Sequence, residues 1–433
     1  MNILFTLHKN KKGSVSVFVV IAFAAFMVVA SVFFAAAKSA AARSYADAAF
    51  LLAGRSVLSE YDQQLMKDYG IMAFRGNEKF VEDDMRYYAG ASLESDKLIY
   101  APYRNIGYAH INAIDSKIGS IDANLKEYSL LDVDNFEEQI IAGFIQEWIK
   151  DKIGKKKRNK NAELSEENED DNKNRKLRNE SILSGLPSQA YDASFFPDFN
   201  RVEDVPLLED VFNQATSSFA VNEYILSCFS NKLYSFSDED RFFTNEVEYI
   251  ISGAKSDVAN SNFMYAKLFG MRFVLNNIFL FTNPKKQNEI KAASALITAA
   301  SGGYIPDSQI AILEAWATAE SVNDINRLMD GKKVSLFKTD STWATQNVVE
   351  IAKGFIPSVI VNPKSETGQD YEDYLRIMLF LCDREVKILR IMDLIQINLK
   401  GTYYKEFLLR EHYVGFRVSC EYGRDQFDYV QKY

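Results

Sequence analysis

Gly13–Ala37 reads GSVSVFVVIAFAAFMVVASVFFAAA, 25 residues without a charge, directly behind Lys9, Lys11 and Lys12. At ~1.5 Å rise per residue a helix of this length crosses a hydrocarbon core ~30 Å thick. Val15, Phe18, Val20, Ile21, Phe23, Phe26, Val29 and Phe33 supply its bulky apolar side chains. Lysines before the run and none inside it predict a cytoplasmic N-terminus, a single pass through the cell membrane and an extracytoplasmic remainder. Two processed forms compete with a retained helix. One is a secretory signal cut after Ala35-Ala36-Ala37, although the run exceeds the ~7–15 residues of an ordinary signal core. The other is a short basic leader cut between Gly13 and Ser14.

Outward from the run, Lys38 to Leu65 is rich in helix formers, among them Ala40, Ala41, Ala42, Ala46, Ala48, Ala49, Leu51, Leu52 and Ala53. No proline occurs before Pro102, and Gly54 costs only ~1 kcal/mol against Ala. The helix is therefore expected to continue unbroken to about Lys67, with Ala48, Leu51, Leu52, Leu58, Tyr61 and Leu65 on its packed face. The chain divides accordingly into a basic cytoplasmic leader (1–12), a membrane helix (13–37), a stalk helix (38–68), an α+β region (69–153), a charged linker or loop (154–180) and a mainly helical domain ending in strands (181–433).

Within these segments Tyr69–Phe74 and Leu98–Ser116 read as strands from their β-branched and aromatic content. Glu78–Gly90 and Phe136–Ile153 read as helices. In Gly154–Glu180 apolar residues nearly vanish between blocks of lysine, acid and arginine, a composition too polar to offset its ordering entropy. Asp170, Asn172 and Asn174 imitate the start of a calcium loop, but Arg175 replaces the turn glycine and Ser181 the closing glutamate. Helices are expected over Val211–Phe229, Thr244–Ser252, Asn260–Phe281, Pro284–Ala300, Ser308–Met329 and Tyr371–Lys400. The last carries Tyr371, Leu375, Met378, Cys382, Leu389, Met392 and Leu399 near helical spacing. At the end Val414, Phe416, Val418 and Cys420 alternate with Tyr413, Gly415, Arg417 and Ser419, a period-two strand, and Phe427–Tyr433 is a candidate partner. The fold class is α+β, mainly α-helical, with a small antiparallel sheet.

The 433-residue chain is 47% hydrophobic with a formal net charge of −9, a balance that argues against nucleic acid as a partner. Cys228, Cys382 and Cys420 are widely spaced among apolar neighbours, and buried reduced thiols are expected. His8, His110 and His412 are the only histidines. Zinc-helix, phosphate-loop and nucleophile-elbow patterns are absent. Asp238, Glu239 and Asp240 read as a solvated acidic loop. No catalytic, cofactor-binding or metal-ligating residue is assigned.

Several stretches together resemble a family of uncharacterised proteins from Gram-positive bacteria, DUF5702. They are Lys12–Phe18, Arg55–Asp62 leading into Tyr69-Gly70-Ile71, Glu246–Gly253, Lys332–Leu336 and Arg390–Asn398. The N-terminus is similar to TadE/TadG-like minor pilins, although Phe18 stands where such subunits carry Glu. The resemblance implies an envelope role beside Tad (Flp-type) pilus systems, with no known activity or cofactor. The expected function is a non-enzymatic, membrane-anchored component of a pilus or surface-assembly system, whose partners are the lipid bilayer and other pilin-like or assembly proteins. Ala22, Ala24, Ala25 and Ala30 are small enough for close helix approach in the membrane. The alternative is an anchored envelope enzyme or binding receptor.

Overall fold

The computed structural model describes residues 11–93, 118–151, 159–160, 182–190, 208–235, 241–301, 308–354 and 360–433. In chain order the elements are α1 (Lys11–Leu58), α2 (Gln63–Tyr69), β1 (Phe74–Arg75), α3 (Glu78–Leu93), β2 (Ile118–Asn124), α4 (Val133–Asp151), β3 (Asn159–Lys160), α5 (Leu208–Cys228), β4 (Tyr234–Ser235), α6 (Glu246–Ser252), α7 (Asp257–Thr282), α8 (Pro284–Ser301), α9 (Ser308–Met329), α10 (Val348–Ala352), α11 (Tyr371–Phe380), α12 (Arg384–Thr402), β5 (His412–Tyr413), β6 (Gly415–Tyr422) and β7 (Asp425–Lys432). The fold is α+β and mainly helical, as expected from the sequence. The chain parts into two compact units: Met1–Asp62 with Met72–Leu130 and Arg410–Tyr433, and Gln63–Ile71 with Leu131–Leu409.

The first unit is built on an antiparallel sheet in the order β2-β6-β7. The alternation read at the C-terminus is real: Val414, Phe416, Val418 and Cys420 point inward, and β7 pairs along the whole of β6 from Gly415↔Lys432 to Tyr422↔Asp425. Against that inner face pack Ala46, Phe50, Ala53 and Val57 of α1 and Val81, Met85 and Ala89 of α3. The spacing on α1 is three or four residues throughout, one face of a helix. It is not the face anticipated, since Leu51 and Leu52 are exposed. Gly54 also has a use beyond its propensity cost. A Cβ there would lie 2.8 Å from Gln431 Cγ, so glycine lets β7 approach the helix.

Three further expectations need correction. The stalk helix does not run to Lys67. It ends at Leu58, where Ser59 N reaches both Arg55 O and Ser56 O and Glu60 N reaches Val57 O, the tightened bonds of a closing last turn. Asp62 N then donates to Ala73 O, outside any helix. Tyr69–Phe74 is not a strand. Tyr69 closes α2, and only Phe74-Arg75 pairs, with His412-Tyr413. Tyr371–Lys400 is two helices. Leu381 N and Cys382 N close the first on Ile377 O and Leu379 O, and the Asp383 carboxylate accepts from Val386 N to start the second. The strands expected in Leu98–Ser116 lie wholly outside the described residues, as does Gly154–Glu180 apart from Asn159-Lys160, which pairs with Tyr234-Ser235.

In the second unit one core cluster joins α7–α10 around Leu280, Ile290, Trp316, Ala317, Trp343 and Ile351. The helices anticipated there agree closely with those observed, Ser308–Met329 to the residue. All three cysteines are free thiols; Cys228 and Cys420 are buried and Cys382 is half-buried.

Candidate functional site

Of the residues singled out by sequence, the anchor set lies on one continuous helix. Gly13, Ser14 and Val15 have helical backbone at the start of α1, with Lys11 and Lys12 before them; Lys9 lies outside the described residues. Phe18, Val20, Ile21, Phe23, Phe26, Val29 and Phe33 are all 52–72% exposed, and they point to every side of the helix. A helix apolar all round has no stable place in water and belongs in a core or a bilayer. No residue between Ser16 and Tyr45 is buried, and burial begins at Ala46. Among the described residues this is one helix long and apolar enough to cross a membrane.

The second unit holds polar chemistry that sequence reading missed. Around α6 and α12, Asn398 Nδ2 donates to Glu246 Oε1 at 2.6 Å and to the Tyr69 hydroxyl at 3.1 Å. Arg241 Nη1 and Ser230 N bond the other Glu246 oxygen at 2.7 and 2.8 Å. One turn on, the Tyr249 hydroxyl donates to Asp393 Oδ2 at 2.8 Å, and Ser188 N donates to Oδ1 at 3.0 Å. Arg390 Nη1 caps the end of α6 by donating to Ile250 O and Ile251 O, both at 2.9 Å. Gly253, at φ +72°, makes room for that guanidinium, because a Cβ there would lie 2.6 Å from Arg390 Nη2. The stretches Tyr69–Ile71, Glu246–Gly253 and Arg390–Asn398 thus meet in one place.

Glu248 is the strained member. Its Oε1 accepts from the Tyr371 hydroxyl at 2.7 Å and from Lys232 N at 3.1 Å, while Oε2 is buried without a hydrogen-bond partner among the described residues. Burial pushes its carboxyl pKa up against those two donors, and burial likewise raises Asp393.

A second network lies between α7, α9 and the turn at 334–345. Asp324 Oδ2 accepts from Arg272 Nε at 3.0 Å, Arg272 Nη2 at 2.9 Å and Asn276 Nδ2 at 3.1 Å. Lys338 Nζ donates to Glu320 Oε1 at 2.5 Å, Asp324 Oδ1 at 2.6 Å and Thr342 O at 3.2 Å. Glu320 also accepts from Ala344 N, Thr345 N and the Thr345 hydroxyl. Two cations and two anions, all 0–3% exposed, therefore neutralise each other with their bonding sites filled. Beside them Lys286 Nζ sits 4.3 Å from the Trp316 ring centre, and burial lowers its pKa. Such an arrangement fixes the helices in register.

The remaining candidates fall as follows. His412 is buried on β5 with Nε2 3.6 Å from Asp62 Oδ2, inside the first unit. His8, His110 and the acids Asp238, Glu239 and Asp240 lie outside the described residues. Among the described residues no group of three or more His, Cys, Asp or Glu is placed to hold a metal ion. An open surface groove lined by Glu138, Ile141 and Ser217 is crossed by Arg384, which pairs with Asp134 at 2.7 Å and with Glu137.

A model of the family of unknown function DUF5702 matches residues 145–424. The chain belongs to this family. The match takes in Glu246–Gly253, Lys332–Leu336 and Arg390–Asn398, hence α6, α12, the second network and all of the first but Tyr69, and it leaves α1 outside. No curated protein and no solved structure matches the chain.

The signal for the second network was present in the sequence. Arg272 and Asn276, and likewise Glu320 and Asp324, stand four residues apart on their helices. Polar residues at that spacing mark a face, and a face can be turned inward when its ions are paired.

Proposed function

We propose that this DUF5702 protein is a non-enzymatic, single-pass component of a Gram-positive cell membrane. Its N-terminus is cytoplasmic, its folded units are extracytoplasmic, and it works with a Tad/Flp-type pilus or a similar surface-assembly system. The observation that carries the reading is α1. One uninterrupted helix is apolar on every side over Val17–Phe34 and enters a packed core from Ala46 to Val57. A helix of that kind holds the folded unit at a fixed distance from the bilayer and passes load between them without a hinge. The assembly role draws its support from the pilin-like outline of Lys12–Phe18. With Phe18 in place of a carboxylate, α1 lacks the partner for a neighbouring N-terminal amine, which favours an accessory subunit over a fibre-forming one.

The test is the intact mass of the protein recovered from native membranes after alkaline extraction, combined with photocrosslinking from Ala25. The full-length mass, and crosslinks to other pilin-like helices, are the expected result. Loss of Met1–Gly13 points instead to incorporation into a fibre. Release into the medium after cutting at Ala37 overturns the anchored reading.

A further inference from the structure

We infer that Lys338 and Asp324 are the two ends of an internal isopeptide bond, formed by condensation of their side chains with Glu320 carrying a proton. Such a reaction needs an amine, a carboxyl carbon within its reach, donors for the oxygen that gains charge, and a second carboxylate, all away from water. Each is present between α7, α9 and the turn at 334–345. Lys338 Nζ lies 2.6 Å from Asp324 Oδ1 and 2.5 Å from Glu320 Oε1. A nitrogen that close to one carboxylate oxygen stands ~3–3.5 Å from its carbon, the separation of a near-attack pair. The three side chains are 0–3% exposed, and the buried Trp343 ring lies 5.9 Å from Nζ. The two oxygens of Asp324 are not equivalent. Oδ2 accepts from Arg272 Nε, Arg272 Nη2 and Asn276 Nδ2, whereas Oδ1 faces Lys338. This division separates the oxygen that takes up negative charge on attack from the one that leaves. Ala344 N, Thr345 N and the Thr345 hydroxyl hold the Glu320 carboxylate in place while its Oε1 meets Nζ.

The steps balance without an outside reactant. Lys338 Nζ passes one proton to Asp324 Oδ1, which leaves a neutral amine beside a neutral acid. The nitrogen lone pair forms the Nζ–Cγ bond, and the carbonyl electron pair moves onto Oδ2 among its three donors. Glu320 takes a second proton from Nζ and delivers it to Oδ1. The Cγ–Oδ1 bond breaks, and water leaves. One ammonium and one carboxylate become one amide and one water, with no change of oxidation state. Two buried charges disappear, while Arg272 and Glu320 remain as an opposite pair. The third proton of Nζ, which already points to Thr342 O at 3.2 Å, stays as the amide N–H. The paired network described above is the starting state, so its energetics belong to chain that has not yet condensed.

The test follows the full-length chain, purified in detergent, by intact mass and tryptic mapping from the day of purification onward. The expected result is a growing population lighter by one water. Its digest should contain a branched peptide in which Ala292–Arg327 is joined to Val334–Lys353, with Lys338 closed to trypsin. Lys338→Met should keep its full mass throughout. Glu320→Gln, with native tryptophan fluorescence as the check on its fold, should link ~10²–10⁴-fold more slowly. Wild-type chain that holds its full mass overturns the inference, whether or not the variants fold. Loss of water that maps to a cyclised Asp330-Gly331, with the two peptides separate, overturns it as well. Linkage of Glu320→Gln at the wild-type rate overturns the part assigned to Glu320.

Discussion

Asp324→Asn should unfold the second unit far more easily than its nearly isosteric change suggests. Asp324 is fully buried and its carboxylate takes four hydrogen bonds, three on Oδ2 from Arg272 and Asn276 and one on Oδ1 from Lys338 at 2.6 Å. An amide in its place has one acceptor oxygen and turns an NH₂ toward donors. Arg272 and Lys338 then share only Glu320, so a net positive charge is left in the interior. Breaking a buried pair in this way costs ~3–5 kcal/mol. Lys338→Met is predicted to cost less, ~1–3 kcal/mol, because each orphaned carboxylate keeps donors: Glu320 keeps Ala344 N, Thr345 N and the Thr345 hydroxyl, and Asp324 keeps Arg272 and Asn276. The double variant removes one charge of each sign, so it should be more stable than the sum of the single losses by ~0.5–3 kcal/mol.

Urea unfolding of the full chain in detergent micelles, followed by tryptophan fluorescence, measures this directly. Trp148, Trp316 and Trp343 all lie in the second unit, and Trp316 and Trp343 donate to Thr345 O at its edge. The signal therefore reports that unit without contribution from the first. A cost for Asp324→Asn within the ~0.5 kcal/mol of a surface change, or strict additivity in the double variant, refutes the reasoning.

Val20→Arg or Phe26→Arg places a charge inside the apolar run at a cost of ~2.5–3.5 kcal/mol, and should move the protein out of the alkaline-resistant membrane fraction. Glu248 titrates above its ordinary value of 4.5, so the folded state holds its proton more tightly. Its contribution is complete below that value and is lost as pH rises through the folded pKa. Glu248→Gln should therefore flatten the pH dependence of unfolding on that side and be relatively more stabilising at the higher pH. Gly143→Ala drives a Cβ to 2.7 Å from the Gly70 carbonyl oxygen, a backbone atom that cannot rotate away, and should lower the unfolding midpoint by ~1–3 kcal/mol equivalent in the same fluorescence assay.

How far the fold was legible depends on whether a segment has one apolar face or two. The β6 strand alternates strictly, so its inner residues were readable, and α9 was placed to the residue because its apolar and polar positions separate. Helix breaks were less readable. Nothing about Leu381-Cys382-Asp383 departs from helical composition, and what ends the helix is the chance for Asp383 to cap a new one at Val386. The stalk shows the same limit. Ala48, Leu51 and Leu52 make as good a stripe as Ala46, Phe50, Ala53 and Val57, and only the sheet that lies against α1 decides between them.

The polar networks were hidden for a deeper reason. Sequence reading assigns charged positions to solvent because an isolated charge is too costly to bury. That rule concerns single groups, whereas Arg272, Asp324, Lys338 and Glu320 are buried together, drawn from positions as far apart as 272 and 338. Their charges cancel inside, and Met264, Leu268 and Leu280 of α7 are buried on the same helix, so polar and apolar residues share one packed stripe that no simple apolar count along the sequence reveals. Such a stripe holds only while its ions stay paired, which is why neutralising Asp324 should loosen the domain far more than a surface change of the same size.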